Sequence, residues 1–497
     1  MVAGNLAGMA DAGQLSREEL EARITDQDAV IAALRGQSAE QQAMIVGLKA
    51  EIVEMRARLD QNSSNSSKPP SSDGYSKPSP KKRSLRERSG RKQGGQHGHE
   101  GARLERVEVP DRVIVHEPDV CEDCGRDLAD GEEVEGGESR QVFDIPEKLA
   151  LEVIEHLAKA RRCKACGRVN DAHFPKHVIA PTGYGVNLRA FGVYLIVFQH
   201  IPYERARNLI CDLIGAQLST ATLKAWVDKA ARGLTDFDEQ LRALLGDEPV
   251  AHFDETGLRI AERLSWVHCA STQTLTRYTV HAKRGGQAMD EAGVLPGFAG
   301  VAVHDGFSPY RAYTNAAHAL CGAHHLRELI AATEAGQLWA SGMSCLLLDT
   351  KDLVDQAKAA GRKALGAPAL TELHTSYRDL IASGYEQNPG LAQNHGRRIK
   401  RTKAQNLLLR LDKRERETTL FAHDFAVPFS NNLCESDLRM VKLQQKISGC
   451  FRTMDGAEHY LTVRSYISTA KKQGQCSLQV LAQLAAGQPW LPASAPG

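Results

Sequence analysis

Three acidic positions, widely spaced in this chain, have the character of metal ligands. Asp254 lies in VAHFDETGLRI, which follows Pro249 and reads as a strand interrupted by acids. Asp305 ends the apolar run of GFAGVAVHDGFSPY, immediately before a glycine turn. An acid at the polar end of a buried strand is a poor core residue. It is a good ligand for a hard cation, because Mg²⁺ takes rigid oxygen donors. Glu435 belongs to FSNNLCESDLRMVKLQQKISGCFRT, a helix that Ser430 or Asn431 can cap, with Arg439 and Lys442 one and two turns further on. That face would bring one carboxylate and two cations toward a phosphate-rich site. An ordinary solvated face, with Glu435 paired to Arg439, accounts for the same residues. Side chains alternate along a strand, so Glu255 points away from Asp254, His252 shares its face, and His304 faces away from Asp305.

The cysteines suggest different chemistry. Cys121-Glu-Asp-Cys124 and Cys163-Lys-Ala-Cys166 each run on into Gly-Arg. Two thiolates in such a turn fill two corners of a tetrahedron, so the pairs together complete a closed four-sulfur Zn²⁺ site, structural because it leaves no position for water. The intervening RQVFDIP and ALEVIEHLAKARR read as strands. Cys321 and His324, in HALCGAHHLRELI, have a spacing that could suit a metal, yet no second pair is near in sequence. Packing of a helix is the favoured reading there, with His324, His325 or Arg327 placed to touch DNA.

The elements that must position these groups follow from pattern and composition. The 497 residues are 42% hydrophobic and 25% charged, enough apolar material for several cores. A formal net charge of +1 excludes a uniformly basic coat. The sequence has no apolar run of roughly 18 residues and no signal-like N-terminus, so a soluble protein without a membrane partner is expected. Eleven cysteines at this density fit a reducing cytoplasm better than a disulfide scaffold.

Between Leu20 and Leu59 apolar residues keep a seven-residue register. Ile24, Ile31, Ile45, Ile52 and Leu59 occupy one seam position, and Leu20, Leu34, Leu48 and Met55 the other. This predicts a coiled coil over 15–60 and a homodimer or higher oligomer. Residues 61–104 carry almost no large apolar side chains and read as a disordered linker. Its basic residues, Lys81, Lys82, Arg83, Arg91 and Lys92 among them, outnumber Asp73, Glu87 and Glu100 and suit a phosphate backbone without reading sequence. A zinc ribbon is expected over 105–178. A helical region follows over 179–245, with Gly215 ending one helix and Ser219 or Thr220 capping the next. It is similar to a helix-turn-helix whose last helix presents Thr220, Thr222 and Lys224 to a major groove. The strand-bearing core spans 246–333 and 422–475, interrupted by a mostly helical insertion over 334–421. The basic run from Arg397 to Lys403 there could track phosphates. A tail occupies 476–497.

The ordered set NSSNSSKPPSSDG, CEDC, CKAC, HFDETG, VHDGFSPY, CGAHHLREL and NNLCESDLR resembles transposases of the insertion sequence 66 family, over essentially the whole chain. In this chain Ser436 follows Glu435, where that family more often has arginine. The resemblance implies a multidomain α+β protein with a ribonuclease-H-like α/β catalytic core, and it places an acidic triad on Asp254, Asp305 and Glu435. It implies cleavage and strand transfer of an insertion sequence, with recognition of its terminal inverted repeats in double-stranded DNA. Two Mg²⁺ ions would serve this chemistry, one activating the attacking oxygen and one stabilising the leaving oxygen. It further implies a bacterial, nucleoid-associated protein and small accessory proteins of the same element. The alternative is a non-catalytic DNA-binding regulator built on the coiled coil, ribbon and helix-turn-helix, which would have no use for carboxylates beside a polyanion.

Overall fold

The computed structural model describes residues 17–59, 106–130, 138–145, 149–174, 180–389, 391 and 401–493. The basic segment with Lys81, Lys82, Arg83, Arg91 and Lys92 lies outside the described residues, as does 397–400 of the later basic run. The chain divides into two units, Lys81–Trp226 and Met1–Pro80 with Val227–Gly497.

Helix α1 (Arg17–Leu59) runs unbroken for 43 residues. Its seam residues Ile24, Ile31, Leu34, Ile45, Ile52, Met55 and Leu59 are all exposed. In the Lys81–Trp226 unit, β1 (Ala160–Arg162) and β2 (Val169–Asp171) form a short antiparallel pair around the second cysteine turn. The longer strands expected along RQVFDIP and ALEVIEHLAKARR are not formed among the described residues beyond Ala160–Arg162. Val142, Phe143, Ile145, Val153, Ile154 and Leu157 are exposed, so no facing layer rewards an extended ladder there.

Three helices follow: α2 (Val186–Val193), extended by a π turn over Tyr194–Phe198, then α3 (Tyr203–Ile214) and α4 (Thr220–Arg232). Gly215 ends α3 in the left-handed region at φ +70°. Ser219 Oγ caps α4, accepting the Thr222 N–H at 3.0 Å. A Cβ on Gly192 would lie 2.8 Å from the Trp226 ring, so α2 and α4 touch through a glycine.

In the unit that comprises Met1–Pro80 and Val227–Gly497, α5 (Thr235–Asp247) precedes a five-stranded sheet. Its strands are β3 (Val250–Ile260), β4 (Arg263–Ser271), β5 (Thr276–His281), β6 (Val301–His304) and β7 (Ala317–Leu320), with α6 (Gly286–Ala292) between β5 and β6. The order is β5-β4-β3-β6-β7. The first three are antiparallel hairpin neighbours, and β6 and β7 lie parallel to β3. The central strand β3 therefore has covered edges. Gly300, just before β6, is needed for close approach, since a Cβ there would lie 2.5 Å from the Glu248 carbonyl oxygen and 2.7 Å from that of Pro249. Backbone cannot rotate aside as a side chain can, so Gly300→Ala is expected to cost about 3 kcal/mol or more, at the upper end of overpacking effects. The midpoint of denaturant unfolding measures it, and an unchanged midpoint would contradict the assignment.

Helices α7 (Gly322–Glu334), α8 (Leu338–Ala359), α9 (Ala367–Gln387), α10 (Lys403–Lys413) and α11 (Glu415–His423) lie between β7 and the helix that carries Glu435. Helices α7 to α10 share a core that contains Leu329, Trp339, Met343, Tyr377 and Leu408, while Phe421 and Ala422 of α11 join a second with Val354 and Leu373. The chain then returns to the sheet: α12 (Asn432–Ser448) packs on β3 and β4, and α13 (Met454–Lys472) on β5. A last helix, α14 (Ser477–Ala485), packs on α13. No helix among the described residues is long and apolar enough to cross a membrane.

Candidate active site

The sheet delivers two acids and α12 a third. Asp254 sits in the middle of β3, paired across to Cys269 of β4, and its Oδ1 accepts the Glu255 N–H at 2.8 Å. Asp305 immediately follows β6, and its Oδ1 accepts the Phe307 N–H at 2.8 Å, an Asx turn that fixes the carboxylate at the strand end. Glu435 lies in the first turn of α12. Asp254 senses its acidic neighbours. Burial first, then the charges of Glu255, Asp305 and Glu435, hold the Asp254 carboxyl well above the usual carboxylate range. An all-oxygen set with mutually repelling charges is what a hard divalent cation relieves, so the donor chemistry of Asp254, Asp305 and Glu435 fits Mg²⁺.

Glu255 turns the other way along β3, as alternation requires, and its side chain is fully buried. Its carboxylate accepts from Arg284 at 2.8 Å and from the Tyr310 hydroxyl at 2.7 Å. Arg284 also approaches Asp305 at 3.9 Å, and its guanidinium lies over the rings of Phe307 and Trp266. One cation thus links Glu255, the neighbour of Asp254 on β3, to Asp305 just after β6. Nothing local in the sequence singles out Arg284 or Tyr310; the sheet brings them to Glu255.

Glu435 does not pair with Arg439. Its Oε1 lies 3.6 Å from His324 Nδ1 and its Oε2 3.6 Å from Arg327, both on α7. Arg439 is exposed, while Lys442 donates its ammonium to the Gly257 carbonyl of β3 and is partly buried. Thr222 is tied to Ser219 through their hydroxyls at 2.9 Å, and Lys224 is exposed. Asn431 directly precedes α12 but makes no side-chain cap, contrary to the capping expected of it. Its Nδ2 donates to the Phe253 carbonyl at 2.9 Å and its Oδ1 meets His252 Nδ1 at 2.8 Å. The Asn431 N–H reaches Cys321 Sγ at 3.1 Å. One fully buried asparagine therefore ties β3, the start of α7 and the start of α12 together.

His304 faces away from the acids. Its Nδ1 accepts the Gly306 N–H at 3.0 Å, so Nε2 carries the proton and donates to His318 Nδ1, also at 3.0 Å. His318 Nε2 then points to the Tyr313 carbonyl at 3.2 Å. Burial pulls His304 down to about 3 and His268 to about 4, and lowers His252 and His325 as well. For a group whose folded value is depressed, the unfolded chain binds more protons between the two values. Their contribution is complete above the ordinary histidine range and is lost as pH falls from about 6.5 toward 4. Asp254 and Glu255, raised by burial and neighbouring charge, act in the opposite sense over part of that window. The histidines are more numerous, so the metal-free protein is expected to unfold at lower denaturant at pH 5 than at pH 7. A denaturant midpoint higher at pH 5 would contradict this.

The cysteine pairs adopt matching turns. Gly125 N–H bonds the Cys121 carbonyl at 2.8 Å and Gly167 N–H that of Cys163 at 2.9 Å, with both glycines in the left-handed region. Backbone N–H groups of Cys124 and Asp123 lower the Cys121 thiol, and those of Cys166 and Ala165 lower Cys163, which favours the thiolate a metal binds. Among the described residues, the set of three donors drawn within 4.8 Å of one another is a different one: Cys321, His324 and Glu435. Neither the four sulfurs Cys121, Cys124, Cys163 and Cys166 nor the three acids Asp254, Asp305 and Glu435 are drawn together to that degree among the described residues. Burial raises the Cys321 thiol to about 11.

A family model described as a family of unknown function (DUF6444) matches residues 12–105. No curated protein matches the chain. A second model, described as Transposase IS66 family, matches residues 182–459 and so spans the sheet, all three acids and the helices between them. That is more than half of the sequence, and the chain belongs to the Transposase IS66 family.

Proposed function

We propose that this DNA transposase cleaves the ends of an insertion sequence and joins them to target DNA through Asp254, Asp305 and Glu435. The observation that carries the reading is positional: Asp254 lies in β3, Asp305 directly follows its parallel neighbour β6, and Glu435 is in the first turn of α12, which packs on β3. Strand order and direction support a ribonuclease-H-like core, with the first acid on the central strand and the second at the end of its parallel neighbour. The three carboxylates would hold two Mg²⁺ ions, which when bound supply activation of the attacking oxygen and stabilisation of the leaving one. The chain's own part is positioning. Arg284 and Tyr310 keep Glu255 turned away, Asn431 fixes the start of α12 against β3, and Arg327 restrains the Glu435 carboxylate.

Further parts of the reading are expectations of the same kind. Cys121, Cys124, Cys163 and Cys166 would hold a structural Zn²⁺, supported by their paired turns. The exposed seam of α1 suits association with a second copy. Lys224 and Arg439, both exposed, would meet phosphates, with Thr222 nearby on α4. Lys442 could join them only by leaving Gly257. The terminal inverted repeats would be recognised from the helical region.

A strand-transfer assay with the full chain, Mg²⁺ and end DNA of the element tests the reading. Joined products are expected. Cut ends without joining would indicate a hydrolytic nuclease, and binding without cutting a DNA-binding regulator.

A further inference from the structure

We infer that Cys321, His324 and Glu435 form a transition-metal site of the zinc class, which shares Glu435 with the acidic triad and adds the sulfur and nitrogen donors that the two aspartates lack. The three ligand atoms lie within 4.8 Å of one another. His324 Nδ1 and Glu435 Oε1 are 3.6 Å apart, too far for a hydrogen bond. With zinc–nitrogen and zinc–oxygen lengths of about 2.0 to 2.2 Å, two donors on one tetrahedral ion sit roughly 3.4 Å apart, so the spacing suits shared ligation.

Satisfaction of polar atoms points the same way. His324 Nδ1 and Glu435 Oε1 are both buried and lack a hydrogen-bond partner. Two such atoms facing each other beyond hydrogen-bond reach are costly to bury, and a cation in the gap would satisfy both. Arg327 faces the other oxygen, Oε2, and leaves Oε1 for the ion. Cys321 is a free, buried cysteine whose Sγ is already oriented by the Asn431 N–H. Sulfur, imidazole nitrogen and one carboxylate oxygen form a borderline-soft set that selects Zn²⁺ or Co²⁺ over Mg²⁺. Loading exchanges the thiol proton for the ion, releasing one H⁺ to solvent, and leaves one coordination position for water. The sequence spacing of Cys321 and His324 shows only two ligands; the fold supplies the third, Glu435, from the first turn of α12, just beyond the Asn431 whose N–H already reaches Cys321.

Co²⁺ titration of the reduced, metal-free full chain tests this, without DNA or Mg²⁺, so its outcome is independent of the cleavage reading. The wild type is expected to show a near-ultraviolet thiolate-to-cobalt band larger than that of Cys321→Ala. The difference should correspond to one ion and one thiolate, whatever the other cysteine pairs bind. His324→Ala should lose the same increment, which guards against Cys321→Ala failing to fold. Glu435→Gln should keep the band and weaken the affinity by about tenfold or more. Identical spectra for wild type, Cys321→Ala and His324→Ala would overturn the site, and unchanged affinity in Glu435→Gln would remove its third ligand.

Discussion

Asp254→Asn is expected to abolish Mg²⁺-dependent end cleavage, by on the order of 10³-fold or more, equivalent to about 4 kcal/mol in the barrier. The same substitution should make the metal-free protein more stable at neutral pH. Both effects follow from one environment. The Asp254 carboxyl is buried among the charges of Glu255, Asp305 and Glu435, so its ionised form is disfavoured in the folded state. A group whose folded pKa is raised contributes stability that is present below its unfolded value and is lost as pH rises through the folded one. Wild type without divalent ions therefore carries a cost above about pH 4 that asparagine, of nearly equal volume, removes. Adding Mg²⁺ should raise the melting temperature of wild type and leave Asp254→Asn unmoved. Asp305→Asn and Glu435→Gln are expected to lose cleavage to a similar extent, with end DNA still bound in a mobility-shift assay. Retained cleavage in any of the three would take that residue out of the metal site.

How much of this was legible beforehand differs residue by residue. Asp254 and Asp305 stand out because an acid interrupting or ending an apolar strand breaks the pattern around it, and in the structure one lies in β3 and the other directly after the adjoining β6. Gly215 and Ser219 mark helix ends through local backbone chemistry, and both serve as expected. Glu435 was ambiguous because its partners are not its helical neighbours. His324 and Arg327 are brought to it by α7, which no spacing along α12 can encode. Lys442 is instructive in the same way, since a lysine two turns from an acid reads as a phosphate contact until a neighbouring strand offers it a carbonyl. Around the cysteine pairs, alternating Val, Phe and Ile suggested strands, but alternation predicts a ladder only where another layer covers one face. The role of Asn431 was hidden for a further reason: an asparagine before a helix reads as a cap, and its side chain is instead directed across the fold.

That asparagine carries the second large expectation. Asn431→Ala should destabilise the protein by about 2 to 4 kcal/mol, because it strands two buried partners at roughly 1 to 3 kcal/mol each. The Phe253 carbonyl loses its donor and His252 Nδ1 its acceptor, in a site with no exposure to water at Asn431. The Nδ2 bond to a carbonyl fixes which end of the amide is oxygen, so His252 must be the donor on Nδ1. A double-mutant cycle with His252→Ala isolates that link, with a coupling of about 1 to 2 kcal/mol expected for neighbours sharing a bond. The consequence for activity is positional. Phe253 precedes Asp254 on β3, and Asn431 lies one turn before Glu435, so the amide sets the separation of two acids without touching either. Cleavage should therefore fall in Asn431→Ala at temperatures where it remains folded, while end binding and the cobalt band's dependence on Cys321 persist. Full cleavage by folded Asn431→Ala would show that α12 finds its place on β3 through apolar packing alone, by way of Cys434 and Leu438.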